Sequence, residues 1–129
     1  MLLEGPIGSG KTCFTRELAR ALGARNLPVS ASFNLMRSYA GRLNLYHFDL
    51  FRVGEGDLEN IGLEDYLGRN DGVTVVEWAG CAKRITEGLP RIILDFSLAG
   101  EDKRIIAARA PEPGAQKTLA KVRELWRKK

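Results

Sequence analysis

Residues 5–12 read Gly-Pro-Ile-Gly-Ser-Gly-Lys-Thr and match the phosphate-loop pattern G-x-x-x-x-G-K-[ST]. Glycines let a backbone turn tightly, so that successive N–H groups converge on an anion. Lys11 is expected to reach the β- and γ-phosphates, and the Thr12 hydroxyl is expected to bind Mg²⁺. A helix that starts at the end of the loop adds its positive N-terminal end. The pattern predicts a nucleotide site rather than a glycine-rich turn that only caps a helix.

The predicted nucleotide-binding residues are the loop and the residue after it. They are Gly5, Pro6, Ile7, Gly8, Ser9, Gly10, Lys11, Thr12 and Cys13, and Ser32 and Trp78 are further candidates for contact with the nucleotide.

Length and composition indicate one globular domain over residues 1–129, with 44% hydrophobic and 28% charged residues. The motif starts only four residues in, so either the domain is minimal or a natural N-terminal segment is absent. The net charge of +4 fits an acidic partner or RNA, but a solvated surface is the favoured interpretation. Cys13 and Cys81 form no C-x-x-C pair, so neither a disulfide nor a zinc site is predicted, and Cys13 is expected to be buried. The chain shows no signal peptide and no long apolar run, which predicts a cytoplasmic protein without membrane contact.

Hydrophobic periodicity predicts alternating strands and helices. The predicted strands are residues 1–4, 33–39, 43–49, 73–77, 91–98 and 104–109. The predicted helices are residues 12–22, a broken segment 57–67, 82–87 and 115–129. Asp57 is expected to cap the broken segment and Gly62 to interrupt it, while Ala40-Gly41-Arg42 is expected to form a three-residue hairpin.

The order of these elements predicts an α/β fold of the P-loop NTPase type. Parallel central strands are expected between antiparallel flanking strands, with helices on both faces of the sheet. The last helix carries an apolar stripe of Leu119, Val122 and Trp126. Its basic face is expected to be solvated, with contact to RNA or a partner as the alternative.

Three predicted strands contain acids that are candidates for metal chemistry. Glu77 follows the apolar run Val73-Thr74-Val75-Val76 and is the best candidate for a Walker B carboxylate. Asp49 ends another strand, whereas Asp95 lies inside its strand and is expected to be structural. Lys11, Asp49 and Glu77 are therefore the predicted catalytic residues, and Thr12, Asp49 and Glu77 the predicted metal ligands.

Three further features near these acids remain open between a functional and a structural role. His47 either tunes Asp49 or packs with a hydrogen bond, and Trp78 either packs in the core or covers the site. Residues 30–32 form either a switch loop that closes on the γ-phosphate, with Ser32 as its ligand, or a plain serine-rich loop.

The ordered set of motifs resembles the TsaE (YjeE) family of bacterial P-loop ATPases in tRNA threonylcarbamoyladenosine synthesis. The resemblance covers about residues 2–109 and rests on the loop, Val29–Leu35, Tyr39, His47–Arg52, Ile61–Leu67 and Val76–Trp78. Where the family usually has Ser-Pro-Thr, this chain has Ala31-Ser32, which keeps a hydroxyl at Ser32. The family also has a segment before the first strand that this sequence lacks.

The resemblance implies a cytoplasmic protein that binds ATP and Mg²⁺ and acts with the TsaB–TsaD pair. That pair transfers threonylcarbamoyl to an adenosine beside the anticodon, so contact with tRNA is expected through the complex. Lys11 and Thr12 match the family's phosphate and metal ligands, and Glu77 its Mg²⁺-linked acid. Trp78 matches the tryptophan after that acid, and Asp49 the acid of the H-x-D-L-[YF]-R segment.

The favoured function is a slow, partner-dependent ATPase, because the sequence places no arginine finger. Arg37, Arg42 and Arg52 are candidates from within the chain. The alternatives are a nucleoside-type small-molecule kinase and a nucleotide-dependent binding module with little turnover. A GTPase is disfavoured because the chain has no Asn-Lys-x-Asp motif.

Overall fold

The fold was analysed in a computed structural model of the chain. It describes residues 1–25, 30–32 and 35–129, with the backbone alone at residues 30–32 and 55. The predicted loop at residues 26–28 lies outside this part, as do Val29, Phe33 and Asn34 and the side chain of Ser32.

A seven-stranded mixed sheet forms the centre of the fold. Its strands are β1 (Leu2–Glu4), β2 (Ser30–Ser32), β3 (Met36–Tyr39), β4 (Asn44–Asp49), β5 (Gly72–Glu77), β6 (Ile93–Leu98) and β7 (Arg104–Arg109). Across the sheet they follow the order β2-β3-β4-β5-β1-β6-β7. Strands β4, β5, β1 and β6 are parallel, and the pairs β2–β3, β3–β4 and β6–β7 are antiparallel. The predicted α/β fold with a parallel centre and antiparallel flanks is confirmed.

In the described part of the chain, three α-helices and three 3₁₀ segments connect the strands, and a fourth α-helix follows β7. The helices are α1 (Lys11–Ala21), α2 (Leu58–Ile61), α3 (Lys83–Thr86) and α4 (Pro113–Arg127). The 3₁₀ segments are Glu55–Asp57, Leu63–Tyr66 and Ala79–Ala82. No helix in the described ranges is both long and apolar enough to span a bilayer.

Side chains alternate between the two faces of the sheet and build a core on each. On one face, Leu3, Leu45 and Val75 pack with the apolar side of α1. On the other, Phe48 and Val76 pack with the helical segment between β4 and β5 and with the segment after β5. Because α1 covers the first face directly behind the phosphate loop, its burial fixes where the helix begins.

Two local expectations about turns and caps are wrong. The β3–β4 connection has four residues, Ala40–Leu43, rather than three. It is docked on the end of α1, since the Arg42 amide donates to Leu22 O (2.8 Å) and its guanidinium to Ala21 O (2.8 Å). Asp57 makes no side-chain cap because it is itself in a helical conformation, at φ −98° and ψ −8°.

The chain between α1 and β4 also differs from expectation. Residues 30–32, predicted as a loop, form the edge strand β2, and pairing with β3 fixes their backbone. The described part of the next strand begins at Met36 because Leu35 lies in a turn and accepts the Asp49 amide at 2.9 Å.

Helix α4 is attached to the domain only through its first half. Ala115 and Leu119 are buried, and an ion pair of 3.3 Å joins Arg91 to Glu112 immediately before the helix. Val122 and Trp126 continue the same apolar stripe but are exposed. The basic second half of the helix therefore extends into solvent.

The enclosed position of Leu3 in β1 makes it a sensitive test of this core. We expect Leu3→Ala to lower the free energy of unfolding by about 2–5 kcal/mol, because the cavity is surrounded by two neighbouring strands and α1. Leu98→Ala, in a strand but 53% exposed, is the control and should change it by no more than about 0.5 kcal/mol. Urea unfolding checks both values, and equal losses would contradict this description of the core.

Candidate nucleotide site

The predicted site residues meet at one edge of the sheet. Parallel strands end at the same edge, and in the parallel register Asp49 of β4 lies beside Glu77 of β5. Leu3 of β1 is the next partner of Glu77, and the chain continues from β1 into the phosphate loop. Crevices at the carboxyl ends of parallel strands are the usual ligand sites of such sheets.

The phosphate loop leads directly into α1 and holds an open turn. Gly8 and Gly10 have φ of 77° and 102°, and a Cβ at either position would meet no atom within 4 Å. The left-handed backbone requires glycine there, and the empty space in front of it is where an anion approaches. Because α1 begins at Lys11, its unpaired N–H groups face the same space.

The Lys11 ammonium is buried and held by the loop itself. It donates to Gly5 O at 2.6 Å and to Pro6 O at 3.0 Å. It also lies 4.1 Å from the centroid of a Trp78 ring, a cation–π distance. The charge is therefore compensated by carbonyl dipoles and an aromatic face, both of which phosphate oxygens can replace.

The Glu77 carboxylate is 2% exposed and is surrounded by hydrogen-bonding groups. Its Oε1 lies 2.9 Å from His47 Nε2, and its Oε2 accepts from the Thr12 hydroxyl at 3.2 Å. Thr15 Oγ1 is 3.5 Å from Oε1 and 3.0 Å from Lys11 O. Because an ionised carboxylate only accepts hydrogen bonds, His47 carries a proton on Nε2 in this contact.

These neighbours decide the ionisation of Glu77. Burial by itself raises the pKa of Glu77, but the hydrogen bond and charge of His47 lower it, followed by the Thr12 hydrogen bond and the Lys11 charge. Together the lowering contributions exceed the effect of burial, so the pKa of Glu77 lies below its ordinary value. At neutral pH the site holds a full negative charge next to the phosphate loop.

An open cavity of about 440 Å³ lies in front of these groups. It is lined by Ile7, Gly8, Ser9, Gly10, Lys11, Thr12, Cys13, Asp49, Phe51, Glu77 and Trp78. Trp78 closes one side, with its ring 4.9 Å from that of Phe51. It has φ 57° and ψ 50° and is the one non-glycine residue with positive φ in the described part of the chain. Such strain, of order 1–3 kcal/mol, is typical of functional sites.

One buried hydroxyl of the phosphate loop supports the binding of a phosphate here. Ser9 is 1% exposed, yet its Oγ has no hydrogen-bond partner among the described residues. A buried unpaired hydroxyl is costly, and a phosphate oxygen in the loop would accept its proton.

Known proteins resemble this chain in sequence and in structure. Residues 1–107 match the family model described as threonylcarbamoyl adenosine biosynthesis protein TsaE. The chain belongs to the TsaE family. The family predicted from the sequence motifs is therefore confirmed.

Curated relatives and a solved structure agree. The tRNA threonylcarbamoyladenosine biosynthesis protein TsaE of Bacillus subtilis is 39% identical over 82% of this chain and 66% of its own. The TsaE protein of Treponema pallidum is 36% identical over 76% of this chain and 70% of its own. A crystal structure of Bacillus subtilis YdiB has a TM-score of 0.77 and 30% identity, covering 95% of this chain and 75% of its own. The chain thus spans about two-thirds of the length of these TsaE proteins.

Family membership supports a nucleotide-binding, P-loop ATPase-like protein of the tRNA threonylcarbamoyladenosine pathway. The individual roles predicted for Lys11, Thr12, Asp49, Glu77 and Trp78 stay predictions, although all five side chains line one cavity.

One expectation near the site is wrong. Cys13 is exposed at the cavity rather than buried, because it lies two residues, or about 200°, around α1 from the buried Lys11. Of the two roles left open for His47, the structure agrees with the hydrogen-bonded one: His47 contacts Glu77, whereas Asp49 Oδ1 accepts the Phe51 amide at 3.1 Å.

The other candidates are spread over the domain. Asp95 pairs with Arg109 at 3.3 Å, as expected for a structural acid. Arg42 binds the end of α1, and Arg52 lines a separate cavity with Asp57. Of the three arginines, Arg37 alone borders the site, in a cavity of about 90 Å³ with Thr12, Leu35, His47 and Asp49.

Sequence reasoning missed Thr15 and Phe51 as site residues. Thr15 lies one turn after Lys11 on the same side of α1, and that spacing could have placed it under Glu77. Phe51 occupies the [YF] position of the H-x-D-L-[YF]-R segment, but that pattern gives it no role, because its contact with Trp78 depends on the turn after β4.

The contacts of Glu77 give a pH prediction. Because its folded-state pKa is lowered, the carboxylate contributes stability above its unfolded pKa, and this stability is lost as pH falls through the folded pKa. We expect the side-chain ¹³C NMR signal of Glu77 to titrate below the ordinary midpoint of 4.5, and His47→Ala to raise that midpoint because burial then dominates.

Tyr46→Phe is the control for this titration. Tyr46 neighbours His47 in β4 but faces the other side of the sheet, where its hydroxyl binds Asp71. It should leave the Glu77 midpoint unchanged. A midpoint that does not rise in His47→Ala would show that His47 does not hold the carboxylate ionised.

Proposed function

We propose that this chain is the ATP-binding and ATP-hydrolysing component of the tRNA threonylcarbamoyladenosine machinery, acting in the cytoplasm with the TsaB–TsaD complex. The observation that carries the proposal is the contact between Thr12, at the start of α1, and the buried Glu77 carboxylate. It joins a phosphate loop to an acid at the strand edge, which is the combination that phosphoryl transfer requires. The partner complex performs the threonylcarbamoyl transfer, and tRNA is reached through that complex.

The loop supplies the binding energy for ATP. Amide groups of the glycine-rich turn and the beginning of α1 face the phosphates, and the unpaired Ser9 hydroxyl adds a donor. Lys11 exchanges the carbonyl oxygens of Gly5 and Pro6 for phosphate oxygens. This exchange neutralises phosphate charge without requiring Lys11 to be newly buried.

Thr12, Asp49 and Glu77 are the residues that would hold Mg²⁺. Their hydroxyl and carboxylate oxygens are hard donors, and a magnesium site normally uses one or two carboxylates together with phosphate oxygens and water. Bound Mg²⁺ would neutralise charge that develops on the phosphates. Glu77 stays ionised for this role because His47 and Thr12 donate to it. Asp49 lies next to it in register and orients water on the same side.

Turnover by the isolated chain is expected to be slow. Arg37 borders the site, but it is exposed to solvent, where its charge is screened. A partner that covers the site would either desolvate Arg37 or supply its own cation. Arginine fingers of this kind are worth about 10³–10⁵ in rate.

A phosphate-release assay tests the proposal. The protein alone should release phosphate slowly, and reconstituted TsaB–TsaD should accelerate release by about 10³-fold or more, the lower end of what an arginine finger gives. Lys11→Ala should abolish ATP binding. Glu77→Gln should keep binding but reduce release at least about 100-fold, because the positioned charge is removed.

Thr86→Val is a matched control for these variants. Thr86 is a buried threonine whose hydroxyl binds Ala82 O, in a helix that contributes no residue to the cavity lining. It should leave release unchanged. No acceleration by the partner complex would contradict the proposal.

The two alternatives predict different results. A nucleoside-type kinase would yield phosphorylated nucleosides in a substrate screen. A binding module would support tRNA modification in the Glu77→Gln variant, which binds ATP without turning it over.

A further inference from the structure

The β6–β7 hairpin contacts the phosphate loop at two points. Gly5 lies so close to β6 that a Cβ there would be 2.5 Å from Phe96 O and 2.9 Å from Phe96 Cβ. At the tip of the loop, Nη2 of the Arg104 guanidinium donates to Gly8 O at 3.4 Å. The loop is therefore supported by a segment that is about 90 residues away in sequence.

Arg104 is itself held in place by the turn that precedes it. Its Nη1 donates to the carbonyl oxygens of Lys103 (2.9 Å), Glu101 (3.1 Å) and Gly100 (3.5 Å). The turn is closed by the Ala99 amide, which donates to Lys103 O at 3.0 Å. These carbonyl contacts fix the guanidinium of Arg104, so little side-chain freedom remains to be lost when it contacts the phosphate loop.

The tip of the loop needs such support. Ile7 is 73% exposed and Gly8 has empty space beside it, so apolar packing does not hold this part of the turn. The inner N–H groups bind an anion only when the peptide planes of the tip are oriented toward it. The Gly8–Ser9 peptide group of the tip is held on both sides, since its N–H donates to Pro6 O at 3.2 Å and its carbonyl accepts from Arg104.

We infer that Arg104 is a positioning residue for nucleotide binding, acting through Gly8 of the phosphate loop. Its guanidinium holds the tip in the anion-binding shape through the Gly8 carbonyl. This inference rests on the proposed function, because it assumes that the loop binds a nucleotide. It assigns the β6–β7 hairpin a part in the site that the phosphate-loop motif does not include.

The expected kinetic effect is specific. Arg104 acts on the bound phosphates equally before and during the reaction, so its loss should raise KM and leave kcat nearly unchanged. The effect should be equal for ATP and ADP, since the loop tip is not expected to distinguish the γ-phosphate.

The test measures the Kd of Mg-ATP and Mg-ADP by calorimetry, together with KM and kcat. Arg104→Ala should weaken both nucleotides roughly tenfold, the value of one charge-assisted hydrogen bond, with kcat changed less than about twofold. Arg104→Lys keeps the positive charge but loses the planar guanidinium with its several donors. Its affinity for both nucleotides should lie between those of Arg104→Ala and the wild type.

Arg109→Ala is the matched control. Arg109 ends the same strand but pairs with Asp95, so its removal should leave both Kd values unchanged. If Arg104→Ala does not fold, Arg104→Gln takes its place and should show the same loss.

The outcomes separate the two ideas. Wild-type protein that binds ATP, with Arg104→Ala and Arg104→Gln binding equally well, overturns only the assignment of Arg104. A fall in kcat at unchanged KM also overturns it, because that result indicates a role in the reaction rather than in positioning. Wild-type protein that binds neither nucleotide overturns the proposed function and this inference together.

Discussion

A charged carboxylate enclosed at the end of β5 is the constraint on which the site depends. Burying an unpaired charge costs several kcal/mol, so Glu77 is tolerated only because its neighbours donate to it. Those neighbours belong to different elements: His47 to β4, and Thr12 and Thr15 to α1. The same contacts that satisfy the acid therefore fix the start of α1 against the sheet. The contacts that hold α1 against the sheet are thus also the contacts that build the site.

The second charge of the site, the Lys11 ammonium, is held by contacts that a phosphate can replace. Lys11 is neutralised by Gly5 O and Pro6 O and lies over Trp78, so a bound phosphate replaces contacts rather than recruiting a free lysine from solvent. Trp78 holds a left-handed backbone directly after Glu77. This strained residue places an aromatic side chain beside the buried acid, and Phe51, from the turn after β4, packs against it with the two rings tilted by 50°.

What the sequence predicted well was local in origin. The loop motif and the apolar run before Glu77 specify residue types at fixed spacing, so the strand, loop and helix and the acid at the strand end followed directly. What it missed depends on contacts between distant segments. The partner of His47 is set by the β4–β5 register, and the length of the Ala40–Leu43 connection by its docking on α1. Exposure of Trp126 could not be predicted from periodicity, because a stripe does not show where the domain beneath it ends.

The central claim is that a triphosphate displaces Lys11 from the loop carbonyls and meets a metal beside Thr12 and the acidic strand edge. A crystal structure with a non-hydrolysable ATP analogue and Mn²⁺ tests it most directly, with the metal located by its anomalous scattering. We expect Lys11 Nζ on phosphate oxygens and a metal peak next to the Thr12 hydroxyl, on the side of Asp49 and Glu77. A bound analogue with Lys11 still on Gly5 O and Pro6 O, or a metal peak away from those side chains, would contradict it.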